Sequence, residues 1–185
     1  AVIQLFNGVD ALRQHVTPDV RMHGIITNGG VAANIVPEHA TAQFYIRAAT
    51  KEYLAVVKEK VLGIAQGAAL MTGATLEVSN YELSYDDLKT NAVLSETFNE
   101  NLRSLGITEI HKHRNGTGSV DIGNISNVCP TIHPYIGIAD CEITGHSQQM
   151  VDATVTDFAH DRLITAAVAL AYTGYDVLSG AIKLK

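Results

Sequence analysis

Apolar positions along the chain recur in two rhythms, and the switches between them lay out its elements. Val2, Leu5, Phe6, Val9 and Leu12 fall at three- and four-residue steps, so one helix face is apolar from the first residues onward. The stretch VRMHGIITNGG then reads as a strand from Val20 to Thr27, stopped by the Asn28-Gly29-Gly30 turn. In ATAQFYIRAA the period is two: Ala42, Phe44, Ile46 and Ala48 take one face, and Thr41, Gln43, Tyr45 and Arg47 the other. Leu54, Val57, Val61, Ile64, Ala68 and Met71 return to helical steps, beginning near Thr50 and closed by Gly73. ATLEVSNYELSY, residues 74–85, predicts a further strand. Helix, strand, strand, helix, strand suits an α+β two-layer sandwich, an antiparallel sheet with helices on one face.

The polar stretch YDDLKTN, from Tyr85 to Asn91, marks a seam between domains. Beyond it AVLSETFNENLRSLG predicts a helix ending at Gly106, and a short helix is expected from Ser119 to Ile125. TIHPYIGIA has the composition of a buried strand, and DCEITGHSQQM reads as a loop. The last helix runs from about Asp157 to Leu178 and is apolar nearly all round, which predicts burial on several sides.

Composition narrows the function. Of the 185 residues 46% are hydrophobic and only 17% charged, which excludes a disordered chain. The net charge of −6 comes without a Lys/Arg cluster, so a nucleic-acid partner lacks its electrostatic footprint. The longest apolar run, LITAAVALA, is about half of the ~20 residues a membrane span needs, so no membrane partner is expected. Cys129 and Cys141, without CxxC spacing, suggest buried thiols in a reducing, cytoplasmic setting. The first residues are already in helical period, with no Met, signal peptide or N-cap, as in a chain entered partway through a helix.

Candidate chemistry concentrates in three places. HRNGTGSVDIGN lacks the third glycine of a dinucleotide fingerprint, the lysine of a P-loop, and the glycines on both sides of a nucleophile elbow. What remains is a turn in which Ser119 caps a helix whose first amides favour an anion, or an ordinary capped turn. Asn34 precedes Pro37, and Arg47 lies on the polar phase of the next strand; a guanidinium and an amide together make a good carboxylate receptor. Arg47 reads equally as a surface charge over an apolar stem, and His23 shares that ambiguity. Of the eight histidines, His111 and His113 sit at strand spacing, His133 reads as a satisfied core residue, and His146 lies in the polar loop before the terminal helix. No HExxH pattern is present.

Taken together, HGIITNGGVAANIVPEHATAQFYIRA, GTGSVDIGNISNVCPTIHPYI and GHSQQMV resemble one family. They look like the di-zinc metallopeptidases and amidohydrolases of carboxypeptidase G, aminoacylase and aminobenzoyl-glutamate hydrolase, in the dipeptidase-like branch. The resemblance implies that residues 1–88 are most of an α+β lid or dimerisation domain. Residues 89–185 would be the C-terminal portion of an α/β zinc-hydrolase catalytic domain. It further implies that Asn34 and Arg47 hold a substrate carboxylate, that Gly118, Ser119 and Asp121 line the site, and that His146 is a zinc ligand. Two zinc ions, homodimerisation through the lid, and cleavage of dipeptides or N-acyl (N-aroyl) amino acids follow as expectations. The family's early His-x-Asp or Cys-x-His motif, its Glu-Glu pair and the lid histidine that contacts substrate do not occur here, so the chain by itself is expected to be an inactive fragment. The rival expectations are a non-catalytic dimerisation or carboxylate-binding module and an acidic-ligand binder built on the glycine loop.

Overall fold

Two helix caps and one cross-strand contact explain much of the first half. The computed structural model describes residues 1–111 and 118–184, in two units, Ala1–Asp87 and Leu88–Lys185. In the first unit α1 spans Val2–Leu12 and a single tight turn, Arg13–His15, follows it. Strands β1 (Arg21–Asn28) and β2 (Thr41–Arg47) form an antiparallel hairpin, and α2 covers Lys51–Thr72. The Thr50 hydroxyl accepts from the Tyr53 amide at 3.2 Å, and Gly73 closes the helix at φ +68°. Each satisfies backbone groups that a helix end leaves open.

The hairpin register pairs Met22 with Ile46 and Gly24 with Phe44, with an irregularity between Ile26 and Asn28. Gly24 is needed there, because a Cβ at that position would overlap the Phe44 ring. Phe44 in turn stacks at 4.8 Å against Phe6 of α1. Val9, Leu12, Val20, Met22, Val57 and Val61 form the core, so both helices cover one face of the hairpin. The α+β expectation holds at this level. The phase read in ATAQFYIRAA holds too: Phe44, Ile46 and Ala48 pack on that core, while Thr41, Gln43, Tyr45 and Arg47 are exposed.

The strand predicted over residues 74–85 is not formed. The segment carries the alternation of a strand, but its described residues have no ladder, and Val78 and Leu83 are exposed. Alternation supplies the side-chain pattern; a strand also needs a neighbouring edge for its N–H and C=O groups.

In the second unit α3 (Ala92–Ser104), α4 (Ile122–Ser126), α5 (Gln148–Thr154) and α6 (Asp157–Leu178) follow in order. Asn91 caps α3 through the Leu94 amide at 3.0 Å. Phe98 and Leu102 of α3 bury Ala169 of α6, with Ile132 and Ile136 packed beside them. The Asn101 amide nitrogen donates to the Thr173 hydroxyl (3.2 Å) and the Asp176 carboxylate (3.0 Å), which fixes the helix pair laterally.

Three expectations are corrected here. TIHPYIGIA makes only a Thr90–Thr131 bridge, since Pro134 has no amide hydrogen and no strand lies beside the segment among the described residues. Helix α6 is not buried on several sides: Leu163 is 63%, Tyr175 69% and Leu178 89% exposed. Cys129 and Cys141 are exposed free thiols rather than buried ones. No described helix is long and apolar enough to cross a membrane.

Candidate functional site

The outward face of the hairpin is polar because the strand period of two sends every second side chain away from the core. Register sets Arg21 directly opposite Arg47, and His23 opposite Tyr45, all four exposed. Like charges placed opposite each other across a sheet repel, so this pairing is unfavourable unless other groups compensate the two guanidiniums. The Arg21 guanidinium is positioned by donating to the carbonyls of Pro18 at 2.6 Å and Val20 at 2.8 Å. Close by, the Thr17 side chain and the Ala49 amide (2.9 Å) hydrogen-bond the Asp19 carboxylate and hold its pKa below the usual carboxylate value. At Tyr45 the phenol donates to Glu82 at 2.5 Å, which pushes its pKa upward.

Arg21 escaped the sequence reading. The signal was its phase: it shares the odd-numbered polar face with His23, as Arg47 does with Tyr45. Asn34 sits in an exposed turn of the loop joining the strands, where the Ile35 amide donates to the Ala32 carbonyl at 3.2 Å. Gly30, at φ +116°, lets that loop fold tightly onto Pro37, and its amide is capped by Asn28 at 3.1 Å. The loop leaves the hairpin at Asn28 and Thr41, whereas Arg47 is at the other end of β2, about 20 Å along the strand at ~3.3 Å per residue.

In the second unit Gly118 and Ser119 are exposed, and a Cβ at Gly118 would meet open space. Ser119 does not cap the short helix. That helix starts at Ile122 with Asp121 at its N-cap, and the Asp121 side chain makes no capping bond. The Ser126 hydroxyl instead ties α4 down, donating to the Gly123 carbonyl (2.6 Å) and accepting from the Lys89 amide (2.9 Å). Gly116 and His113 lie outside the described residues. His111 is exposed beside Glu109, and His133 is half-buried against the Tyr135 ring at 5.1 Å.

His146 is exposed and stands at φ +57°, the one non-glycine residue with positive φ among the described residues. That conformation costs about 1–2 kcal/mol for a residue with a Cβ. Ser147, immediately after it, caps α5 by accepting from the Met150 amide at 3.2 Å and anchors the turn by donating to the Thr144 carbonyl at 2.6 Å. The imidazole is thus presented outward from a turn locked on its C-terminal side. Zinc in a catalytic site takes three protein ligands. Among the described residues no three His, Cys, Asp or Glu side chains come together, so these residues do not by themselves fit a metal.

Comparison with known proteins places this arrangement in a class. No protein-family model matches the sequence. The chain is 35% identical over 181 residues to the Xaa-Arg dipeptidase of Mus musculus, covering 96% of this chain and 42% of that protein. It is 36% identical to the Xaa-Arg dipeptidase of Homo sapiens, covering 96% of this chain and 41% of that protein. A subunit of the p-aminobenzoyl-glutamate hydrolase of Escherichia coli (strain K12) is 31% identical over 110 residues, 59% of this chain and 23% of that protein. The class is therefore that of hydrolases acting on amide bonds. The chain belongs to the dipeptidase and amidohydrolase family that includes Xaa-Arg dipeptidase and p-aminobenzoyl-glutamate hydrolase, and it spans less than half the length of these relatives.

Proposed function

We propose that this chain is the lid and the C-terminal part of the catalytic domain of a metal-dependent dipeptidase, and that the 185 residues alone are inactive. The relatives' names share one substrate chemistry, an amide bond whose amine side is an amino acid with a free carboxylate. In this reading Arg47, with Arg21 across from it, receives that carboxylate. Asn34 adds an amide donor by folding its loop back along the outward face of the hairpin. Gly118, Ser119 and Asp121 line the substrate site, and His146 supplies one donor to a zinc site completed by residues outside this chain. The first unit mediates homodimerisation. Substrates ending in arginine are favoured by the two dipeptidase relatives, which cover nearly all of the chain.

The observation that carries the reading is the 35–36% identity to two Xaa-Arg dipeptidases over nearly the whole chain, with Arg21 and Arg47 paired in register on the exposed face of the hairpin. A carboxylate bound there is held equally in the ground state and the transition state, so its loss appears in KM and not in kcat. In the full-length protein Arg47→Ala should raise KM for an alanyl-arginine dipeptide by about 10-fold or more, the worth of a charge-assisted hydrogen bond, with kcat little changed. An unchanged KM overturns the assignment.

A further inference from the structure

We propose that Glu82, held by the Tyr45 phenol beside the Tyr81 ring, receives the cationic side chain of a substrate's C-terminal residue and so selects arginine or another basic amino acid there. The proposal deepens the function given above and rests on it for the place of the carboxylate at Arg47.

Strand phase brings the groups together. Tyr45 and Arg47 stand two residues apart on the exposed face of β2, about 6.6 Å along the strand. Tyr81 and Glu82 come from the segment after α2, and both meet β2 at Tyr45. The Tyr81 ring lies edge-on to the Tyr45 ring at 5.6 Å, and the Tyr45 phenol donates to the Glu82 carboxylate at 2.5 Å. Both rings keep much of their surface open, Tyr45 45% and Tyr81 44% exposed. One carboxylate and two accessible aromatic rings thus stand beside Arg47 on the same side of the hairpin.

Charge decides what they take. Arg21 and Arg47 already face each other, so a substrate bringing a further cation to this end of the hairpin is repelled unless an acid receives it. Asp19 is engaged by the Thr17 side chain and the Ala49 amide, and Asp86 is paired with the Lys51 ammonium. Glu82 differs: the phenol that holds it is neutral, so its negative charge is not cancelled by that bond. A carboxylate offers about four acceptor positions, and the phenol occupies one. A planar guanidinium donates to a carboxylate through two parallel N–H groups and stacks on tyrosine faces, so acid and rings together suit arginine. An arginine side chain carries its charge on a long alkyl stem, away from its own α-carboxylate. One residue can therefore engage Arg47 and Glu82 at once.

The test compares alanyl-arginine with alanyl-citrulline, its neutral isostere, as substrates of the longer protein. The unsubstituted protein should favour arginine in kcat/KM by about 10-fold or more, the worth of a charge-assisted hydrogen bond. Glu82→Gln keeps an acceptor for the Tyr45 phenol and removes the charge, so it should abolish that preference while leaving alanyl-citrulline little changed. Glu82→Lys, a second variant, should cleave alanyl-glutamate faster than alanyl-arginine. An arginine-to-citrulline ratio unaltered by Glu82→Gln overturns the proposal. An equal fall for both dipeptides also overturns it, since Glu82 would then only tie the segment to the strand. Continued preference of Glu82→Lys for arginine does the same. Arg47→Ala separates the two readings, because it should raise KM for both dipeptides alike. Unchanged KM values there, with the ratio still lost in Glu82→Gln, sink the carboxylate assignment and leave the side-chain receptor in place. Cleavage of neither dipeptide by the unsubstituted protein sinks both.

Discussion

At the scale of single residues, strain and hydrogen bonding mark two positions whose roles can be separated. His146 holds positive φ, which glycine adopts freely and histidine at a cost. If the position exists to present a metal donor, His146→Gly should stabilise the metal-free form of the longer protein by about 1 kcal/mol and yet lose a metal ion that the unsubstituted protein retains. Thermal melts and elemental analysis of the purified protein read the two effects apart, with His111→Ala as a control that keeps its metal. Unchanged metal content would remove His146 from the site. Asp19 gives the second prediction. Its folded pKa lies below the ordinary value of 3.8, so its contribution is present above that pH and is lost as pH falls through the folded pKa. Asp19→Asn should therefore be less stable at neutral pH and should flatten the loss of stability on acidification below about pH 4. Urea titrations at a series of pH values check it; parallel acid profiles would show that the Thr17 and Ala49 bonds contribute nothing. The phase of Arg21 was readable in the strand alternation, but its pairing with Arg47 was legible only once register was known.

At the scale of elements, what could be read in the sequence was what local chemistry settles. Thr50 and Gly73 bracket α2 as predicted, because a hydroxyl that caps and a residue that tolerates left-handed backbone act within a few residues of themselves. Gly73→Ala should cost about 1 kcal/mol through the left-handed backbone, and Thr50→Ala about 1 kcal/mol through the lost cap. Chemical denaturation of both variants checks these values. A change under a few tenths of a kcal/mol at Gly73 would mean the helix end relaxes into another conformation. What could not be read was anything that needs a distant partner. Residues 74–85 and TIHPYIGIA both have strand-like side chains, and neither has a sheet edge to join. Ser119 misled for a related reason: a serine near a short helix resembles a cap, but the helix begins three residues later. Asn34 and Arg47 were readable as a carboxylate receptor from their chemistry alone, but the roles proposed for them and for His146 in one site rest on resemblance, since each alone is an ordinary polar residue in an exposed segment.

At the scale of the whole molecule, the terminal helix poses the sharpest question of packing. Its sequence is apolar nearly all round, but its buried residues are Ala159, Ala169 and Thr173. Ile164, Ala167, Ala171 and Leu178 are exposed at three-, four- and seven-residue steps, one continuous stripe on the helix surface. Monomeric proteins seldom leave such a stripe in water, because apolar area removed from solvent is worth about 25 cal/mol per Å². The 185-residue chain should therefore self-associate, sedimenting above its 19.8 kDa mass as concentration rises and binding a hydrophobic dye. Ile164→Lys with Leu178→Lys breaks the stripe at both ends without touching Ala169 or Thr173, so it should restore the monomer and leave helicity unchanged. In the longer protein proposed above, a further surface covering the stripe would instead make the same pair destabilising. Two charges forced against an apolar surface cost several kcal/mol. A chain that stays monomeric at every concentration, or a longer protein indifferent to the two lysines, would mean that the stripe of α6 faces solvent and that its apolar residues serve no packing role.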